Sequence, residues 1–292
     1  MRISNAGLFA IASAIWGSTW LAITFQLGTV APELSVAYRF AIASTIVAAW
    51  CIASRQSLGF PRREHLWLVA MGATFFGFNY IGVYWAERYV TSGLVAVVFS
   101  TIVFMSPIGM RVFYGEALTV RTLVAAAMGV TGVALLFLPE LSAARQGGSA
   151  AMGITIALVA TVFAAVGNLI AVRNHRAGLP TLPVTAWGML YGSLISFAFA
   201  AIMGVTWTFE RTAGYVLSLA YLALFGSVFA FGAYLTLLKR VGAGPSSFVA
   251  VATPVIALAL STLFEAYRWT WVSAAGLVLA VFGNWLALRG KR

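Results

Sequence analysis

Apolar residues in this chain come in long unbroken runs, without the alternation of a half-buried strand or the single stripe of a surface helix. Ten runs approach the roughly 20 residues that a helix needs to cross a hydrocarbon core. They cover 5–26, 34–54, 66–86, 91–113, 120–138, 151–172, 184–204, 213–237, 244–264 and 270–288. Turn-forming residues punctuate the gaps at Pro32–Glu33, Gly59 to Glu64, Pro139–Glu140, Gly147–Gly148, Gly178 to Pro183 and Gly242 to Pro245. Ten such runs leave little of a 292-residue chain over. The pattern therefore predicts an all-α membrane protein of ten transmembrane helices with no separate soluble domain. The first run reads as a retained span, because Trp16-Gly17-Ser18-Thr19-Trp20 places polar groups where a cleaved leader would be plainly apolar.

Charge orients the spans. With a cytoplasmic N-terminus, the inner segments hold Arg2, Arg55, Arg62, Arg63, Arg111, Arg121, Arg173, Arg176, Lys239, Arg240, Arg289, Lys291 and Arg292. The outer loops hold only Arg88, Arg145, Arg211 and Arg268. This asymmetry follows the positive-inside rule and puts both termini in the cytoplasm. Five of the seven acids, Glu33, Glu87, Glu140, Glu210 and Glu265, fall on the outer side.

Composition narrows the function class. Hydrophobic residues make up 62% and charged residues 9%, against about 45–50% and about 25% in soluble domains. So few charges cannot cover a water-facing surface, which excludes a soluble enzyme and a disordered chain. The net charge of +11 is scattered singly and in pairs. No basic face tracks phosphates, so nucleic acid is not an expected partner. Cys51 is the only cysteine, and His65 and His175 lie far apart beside arginines as interfacial residues. No cofactor or metal site is expected.

The chain also reads as two copies of a five-span unit, 1–145 and 146–292. Ser106-Pro107-Ile108, Gly115-Glu116-Ala117, Gly129 and Gly132 are echoed by Thr253-Pro254-Val255, Phe264-Glu265-Ala266, Gly276 and Gly283. Phe76-Gly77 is echoed by Phe225-Gly226, and Arg88-Tyr89-Val90 by Lys239-Arg240-Val241. Five is odd, so the two copies would sit in opposite orientations, as in alternating-access carriers whose site lies at the repeat interface. The glycines are read as points of close helix approach. Pro107 and Pro254, which interrupt matching spans, are candidate hinges or passive kinks.

Trp16-Gly17, Ala37-Tyr38-Arg39-Phe40 and the stretch from Pro107 through Gly115-Glu116 to Thr119, with its echo at Pro254 to Glu265, resemble the EamA-type transporters of the drug/metabolite transporter superfamily. The resemblance covers nearly the whole chain, in two units. Phe264 departs from it, since the family has glycine before this glutamate. It implies a ten-helix inverted-repeat fold in the bacterial inner membrane that exports small metabolites. Within the family the sequence looks closest to the YddG-type exporters of aromatic and other amino acids.

Few polar groups lie inside spans, where they are costly and usually face a cavity or partner. Arg39 is the only charge well inside one. It reads as an anchor for a substrate carboxylate, or as a structural arginine that snorkels outward or pairs with Glu33. The resemblance places an arginine here whatever the cargo, which favours the structural role. Trp16 and Trp20 share a helix face, as do Tyr80 and Tyr84 beside Asn79. With Ser100, Asn168, Trp187, Tyr234 and Ser246 they are candidates to line an amphipathic site. Trp50, Trp67, Trp207, Trp269, Trp271 and Trp285 lie near span ends as interfacial belts.

The chain has no aspartate, and no glutamate falls deep in a span. Glu116 and Glu265 sit at span ends as loop or capping residues. Flux is therefore expected to follow the solute gradient with little coupling to protons. An intramembrane enzyme would need nucleophile, acid or metal groups close together, and no such set is visible. The expected function is a secondary carrier exporting amino acids, aromatic and other neutral ones. The alternative cargo is another small metabolite or a hydrophobic drug cation. The expected partners are that small molecule and the bilayer.

Overall fold

The computed structural model describes residues 3–144, 149–241, 246 and 248–288. The expected unit boundary at 145/146, the turns at Gly147–Gly148 and Gly242 to Pro245, and Arg2, Arg145, Arg289, Lys291 and Arg292 lie outside the described residues.

Every regular element among the described residues is a helix. Its helices are α1 (Asn5–Thr24), α2 (Pro32–Ala53), α3 (Arg62–Ala86), α4 (Ser92–Tyr114), α5 (Val120–Ala144), α6 (Ala150–Arg176), α7 (Thr181–Ile202), α8 (Ala213–Tyr221, Leu222–Phe229 and Ala230–Val241 in succession), α9 (Val249–Phe264) and α10 (Trp271–Leu288). Seven of these, α1 to α4 and α6 to α8, are long and apolar enough to cross a membrane among the described residues. Shorter apolar helices lie at Val120–Leu136 within α5, at Val249–Phe264, and at Trp271–Ala287 within α10.

The helix ends follow local chemistry. Ser4 caps α1 by accepting from the Gly7 N–H at 3.1 Å, which satisfies one of the orphan donors of a first turn. Pro32 opens α2 at a position where its missing N–H costs nothing. Thr212 caps α8 through the Tyr215 N–H. Gly115 closes α4 in the left-handed conformation at φ 70°, which glycine adopts without a side-chain clash. One expected break is absent: α5 runs through Pro139–Glu140 to Ala144. A proline removes one rung of the hydrogen-bond ladder, and spanning helices tolerate that loss.

Two helices are wound wide. Gly72–Phe78 of α3 and Leu222–Phe229 of α8 adopt the π form. Each wide turn contains one of the matching pairs, Phe76-Gly77 and Phe225-Gly226. A third irregularity lies in α4, where Ser100–Thr101 separates Ser92–Phe99 from Ile102–Tyr114. The Thr101 N–H there bonds back three residues to Val98. Pro107 and Pro254 both lie inside continuing helix, so the break in α4 is six residues ahead of Pro107.

Packing comes in counterpart pairs. α1 packs on α9 and α6 on α4; α1 packs on α8 and α6 on α3; α2 packs on the wide turn of α8 and α7 on that of α3. α2 with α7, α4 with α9, and α5 with α10 complete the set. Glycine permits the closest approaches. A Cβ at Gly132 of α5 would lie 2.5 Å from the Ala280 nitrogen of α10, and one at Gly283 of α10 would lie 2.8 Å from the Ala125 carbonyl of α5. A Cβ at Gly72 would lie 2.9 Å from the backbone of Gly188 and Gly192 in α7. Large apolar side chains cover the outer surface, among them Trp50, Leu66, Phe113 and Trp271. This is the surface a helical bundle presents to lipid.

Candidate functional site

The wide turn of α8 brings two of the expected residues, Trp16 and Arg39, together. Winding a helix wide releases carbonyls from the regular ladder, and buried carbonyls need other donors. The Trp16 indole N–H donates to the Gly226 carbonyl at 3.1 Å. The Ser227 hydroxyl donates back five residues to the Leu222 carbonyl at 3.0 Å, and its oxygen accepts from Arg39 Nε at 3.2 Å. Gly226 leaves the room: a Cβ there would lie 2.8 Å from Thr19 Cγ2 and 3.3 Å from Arg39 Nη2.

Arg39 is 2% exposed and lies in the core. Its guanidinium carbon sits 4.7 Å from the Tyr80 ring centre and 5.3 Å from that of Phe40, and an aromatic face attracts a cation most where water is excluded. The Phe40 and Tyr80 rings meet edge to face at 4.7 Å. Arg39 Nη1 has no hydrogen-bond partner among the described residues. The buried Tyr84 hydroxyl also has none, although it lies close enough to Arg39 for the guanidinium to act on it. Asn79 donates to the Phe75 carbonyl at 3.0 Å, a rung displaced by the wide turn of α3, and its Oδ1 is unpartnered among the described residues. Both structural alternatives for Arg39 are corrected here. It does not snorkel, and Glu33 instead accepts from the Trp85 indole at 2.8 Å.

Around this core the Trp16 ring packs at 5.1 Å from Phe231 and 5.2 Å from Tyr234. The Tyr234 hydroxyl hydrogen-bonds the buried Ser246. Trp20 packs on Phe99 at 5.3 Å, next to Ser100, whose hydroxyl bonds the Val97 carbonyl at 2.7 Å. Asn168 is half-buried on α6. Trp187 belongs to a different cluster: its indole donates to the Leu58 carbonyl at 2.8 Å and its ring stacks on Tyr191. The Tyr191 hydroxyl meets His65 Nδ1 at 2.8 Å. His65, expected as a surface residue, thus ties the start of α3 to α7.

Sequence reasoning passed over several groups that the fold makes important. Ser227 gives no signal among the other serines, because its role depends on the widened turn. Gln26 donates to the Tyr215 carbonyl at 2.8 Å and to Ser218 at 2.6 Å, and Ser35 meets the Tyr215 hydroxyl at 3.0 Å. Together these hold the start of α8 against α1 and α2. Two basic–acidic pairs fasten one end of the bundle: Arg173 with Glu64, and Arg176 with Glu116 at 2.7 Å.

The acids at the other end are far less loop-like than their positions suggest. Glu265 follows α9, yet it accepts from the backbone N–H of Ser92 at 3.0 Å and from the hydroxyls of Ser92 and Ser261. The Ser261 oxygen in turn accepts from the Gly93 N–H at 2.7 Å. A carboxylate on the first amides of a helix is favoured by both hydrogen bonding and the helix dipole. This set latches the start of α4 to the end of α9. Glu87, one residue past α3, is 8% exposed, and neither of its carboxylate oxygens has a hydrogen-bond partner among the described residues.

Two clefts of about 390 Å³ each open near Glu33 and Trp85. One runs along Leu27 to Pro32 and Arg88, and the other lies between Phe78, Gly82, Ala160 and Phe163. Arg39, Tyr80 and Tyr84 line neither, so in this conformation the guanidinium is sealed from both.

The family model described as EamA-like transporter matches residues 4–138 and again residues 151–289. Protein PagO of Salmonella typhimurium is 25% identical, over 98% of this chain and 93% of its own length. The uncharacterized inner membrane transporter YedA of Escherichia coli is 27% identical, over 97% of this chain and 90% of its own. The uncharacterized transporter YoaV of Bacillus subtilis is 24% identical, over 84% and 82%. A protein of known crystal structure shares the fold at a TM-score of 0.68 and 21% identity, covering 98% of this chain and 97% of that one.

Proposed function

The chain belongs to the EamA-like transporter family of multi-pass membrane proteins, and we propose that it exports amino acids, aromatic and other neutral ones, by alternating access in the bacterial inner membrane. The arrangement proposed is ten crossings in two inverted units, 1–145 and 146–292, with both termini cytoplasmic. Counterpart helix packing and the wide turns in α3 and α8 support the repeat. The distribution of Arg and Lys supports the orientation. The inner-membrane setting draws on the description of YedA.

The observation that carries the cargo is the unpartnered Nη1 of Arg39. A buried charge without an ionic partner costs several kcal/mol in effective terms, so a core that leaves Nη1 of Arg39 unpartnered among the described residues is suited to a transient anionic partner. A guanidinium takes a carboxylate with two parallel hydrogen bonds. The Tyr80 and Phe40 rings beside it would receive an apolar side chain, and the free oxygens of Asn79 and Tyr84 would accept from an ammonium. An opening movement must come first, because Arg39 is sealed.

The test is uptake of a radiolabelled amino-acid panel by purified protein in liposomes. Saturable uptake and counterflow of neutral amino acids are expected, lost in Arg39→Gln. An amine analogue without the carboxylate should not be carried. Absence of any amino-acid flux, or normal flux in Arg39→Gln, would overturn the reading. A second cargo class, hydrophobic cations, is favoured by one observation, the buried unpartnered carboxylate of Glu87, and uptake of a lipophilic cation that resists Arg39→Gln would select it.

A further inference from the structure

Glu87 stands apart from the other acids in having a buried carboxylate whose two oxygens lack hydrogen-bond partners among the described residues. Thr91 Oγ1, four residues on, and the Tyr84 hydroxyl, one turn back, are also without partners. The charged groups acting on Glu87 are Arg39 from α2 and Glu265 from the connection between α9 and α10. Tyr84 on its own helix feels the Glu87 charge. Glu265 spends its oxygens on Ser92 and Ser261 to hold the latch closed, whereas the Glu87 oxygens have no such donors among the described residues.

We propose that Glu87 is a proton-binding site that controls the Glu265 latch: the closed latch takes up one proton on Glu87, and opening releases it. Two carboxylates whose charges act on one another in a water-poor site cannot both ionise cheaply. Closure fixes the Glu265 oxygens on Ser92 and Ser261 and leaves the buried Glu87 carboxyl, which has no donor of its own among the described residues, as the one to take up a proton. The inference rests on the alternating-access reading above, in which this end of the bundle must open. It runs against the expectation from sequence that flux is little coupled to protons.

The sign follows from linkage. Burial above all, then the Glu265 charge, raises the Glu87 carboxyl well above the ordinary carboxylate range in the closed form, with Arg39 opposing. In the opened form water returns and the value falls toward that of a free glutamate. The closed form therefore binds the proton more tightly. It is stabilised as pH falls, and it loses that stabilisation as pH rises through the raised closed-form value. Between the two values the closed-to-open ratio changes by about tenfold per pH unit.

The experiment uses the full chain in lipid nanodiscs without solute, so a failed transport panel leaves it standing. Hydrogen exchange of the peptide covering 91–99 reads the latch, because the amides of Ser92 and Gly93 are held by Glu265 and Ser261. Infrared titration of the protonated carboxyl band reads Glu87 directly. In the wild type, protection corrected for intrinsic exchange should fall with rising pH, by about tenfold per unit within the window, together with loss of the carboxyl band. Glu87→Gln should remove that band and hold protection high at every pH, and Glu87→Asp should keep a titration at a shifted midpoint. Glu210→Gln, on an exposed loop, should behave as wild type. An unchanged pH profile in Glu87→Gln, or a wild-type spectrum without a titrating carboxyl that both Glu87 variants alter, would overturn the proposal.

Discussion

At the residue scale, Arg39 is held by the Ser227 hydroxyl and an aromatic face, with no ion pair within 4 Å among the described residues. The ring of Tyr80, 4.7 Å from the guanidinium, should contribute about 0.5–2 kcal/mol. Tyr80→Ala is therefore expected to weaken apparent solute affinity from about twofold to about thirtyfold with expression unchanged. Tyr80→Phe, which keeps the ring, should transport nearly as wild type, and Trp271→Ala, at a residue 93% exposed, serves as a neutral control. The measurement is the concentration dependence of uptake in liposomes; equal defects in Tyr80→Ala and Tyr80→Phe would assign the effect to the hydroxyl. Trp16 tests the widened helix from the other side. Trp16→Phe keeps most of the ring packing on Phe231 and Tyr234 but leaves the Gly226 carbonyl without its indole donor. A loss of about 1–3 kcal/mol is expected for the orphaned group, visible as a lower melting temperature in detergent.

At the element scale, the wide turns create the polar core and glycine creates the close packing. Gly226→Ala places a methyl 2.8 Å from Thr19 Cγ2 and against the Arg39 guanidinium. Transport should suffer more than stability, because the nearest charged group can shift at the expense of its bond to Ser227. Gly132→Val affects a different property. Its side chain meets the backbone of α10 at Ala280 and Gly276, which cannot yield locally, so α5 and α10 must part. Overpacking of this kind costs about 1–3 kcal/mol, and the readout is thermal unfolding, with transport falling only in step with folded protein. The glycines at the α5–α10 contact were legible because small residues recur there in both halves. The π turns were not, because widening a helix changes hydrogen-bond partners while leaving its apolar composition as it was.

At the scale of the whole molecule, topology is the property most exposed to test. In a Cys51→Ala background, single cysteines near Arg62–Arg63 should resist an impermeant thiol reagent on intact cells, and those near Glu210–Arg211 should react. Labelling of the Arg62–Arg63 segment from outside would remove the inverted arrangement. Proton linkage belongs to this scale too, since it depends on α3, α4 and α9 meeting at one end.

Sequence alone determined that the chain is a helical membrane protein, roughly where its helices run, and that Arg39, Trp16, Tyr80 and Tyr84 are unusual. The cost of placing backbone and charge in hydrocarbon leaves few alternatives, and that cost is written into composition and run length. Tertiary structure decided what those residues touch. Arg39 meets Ser227, 188 positions away, in place of Glu33, six positions away. Trp187 joins His65 and Leu58 instead of the Arg39 core. Glu87 and Glu265, which position along the chain assigns to loops, are brought close enough for one charge to act on the other where α4 packs on α9. Distance along a chain measures depth in a span, but burial and charge coupling depend on which helices pack together, and contacts between residues far apart in sequence set that.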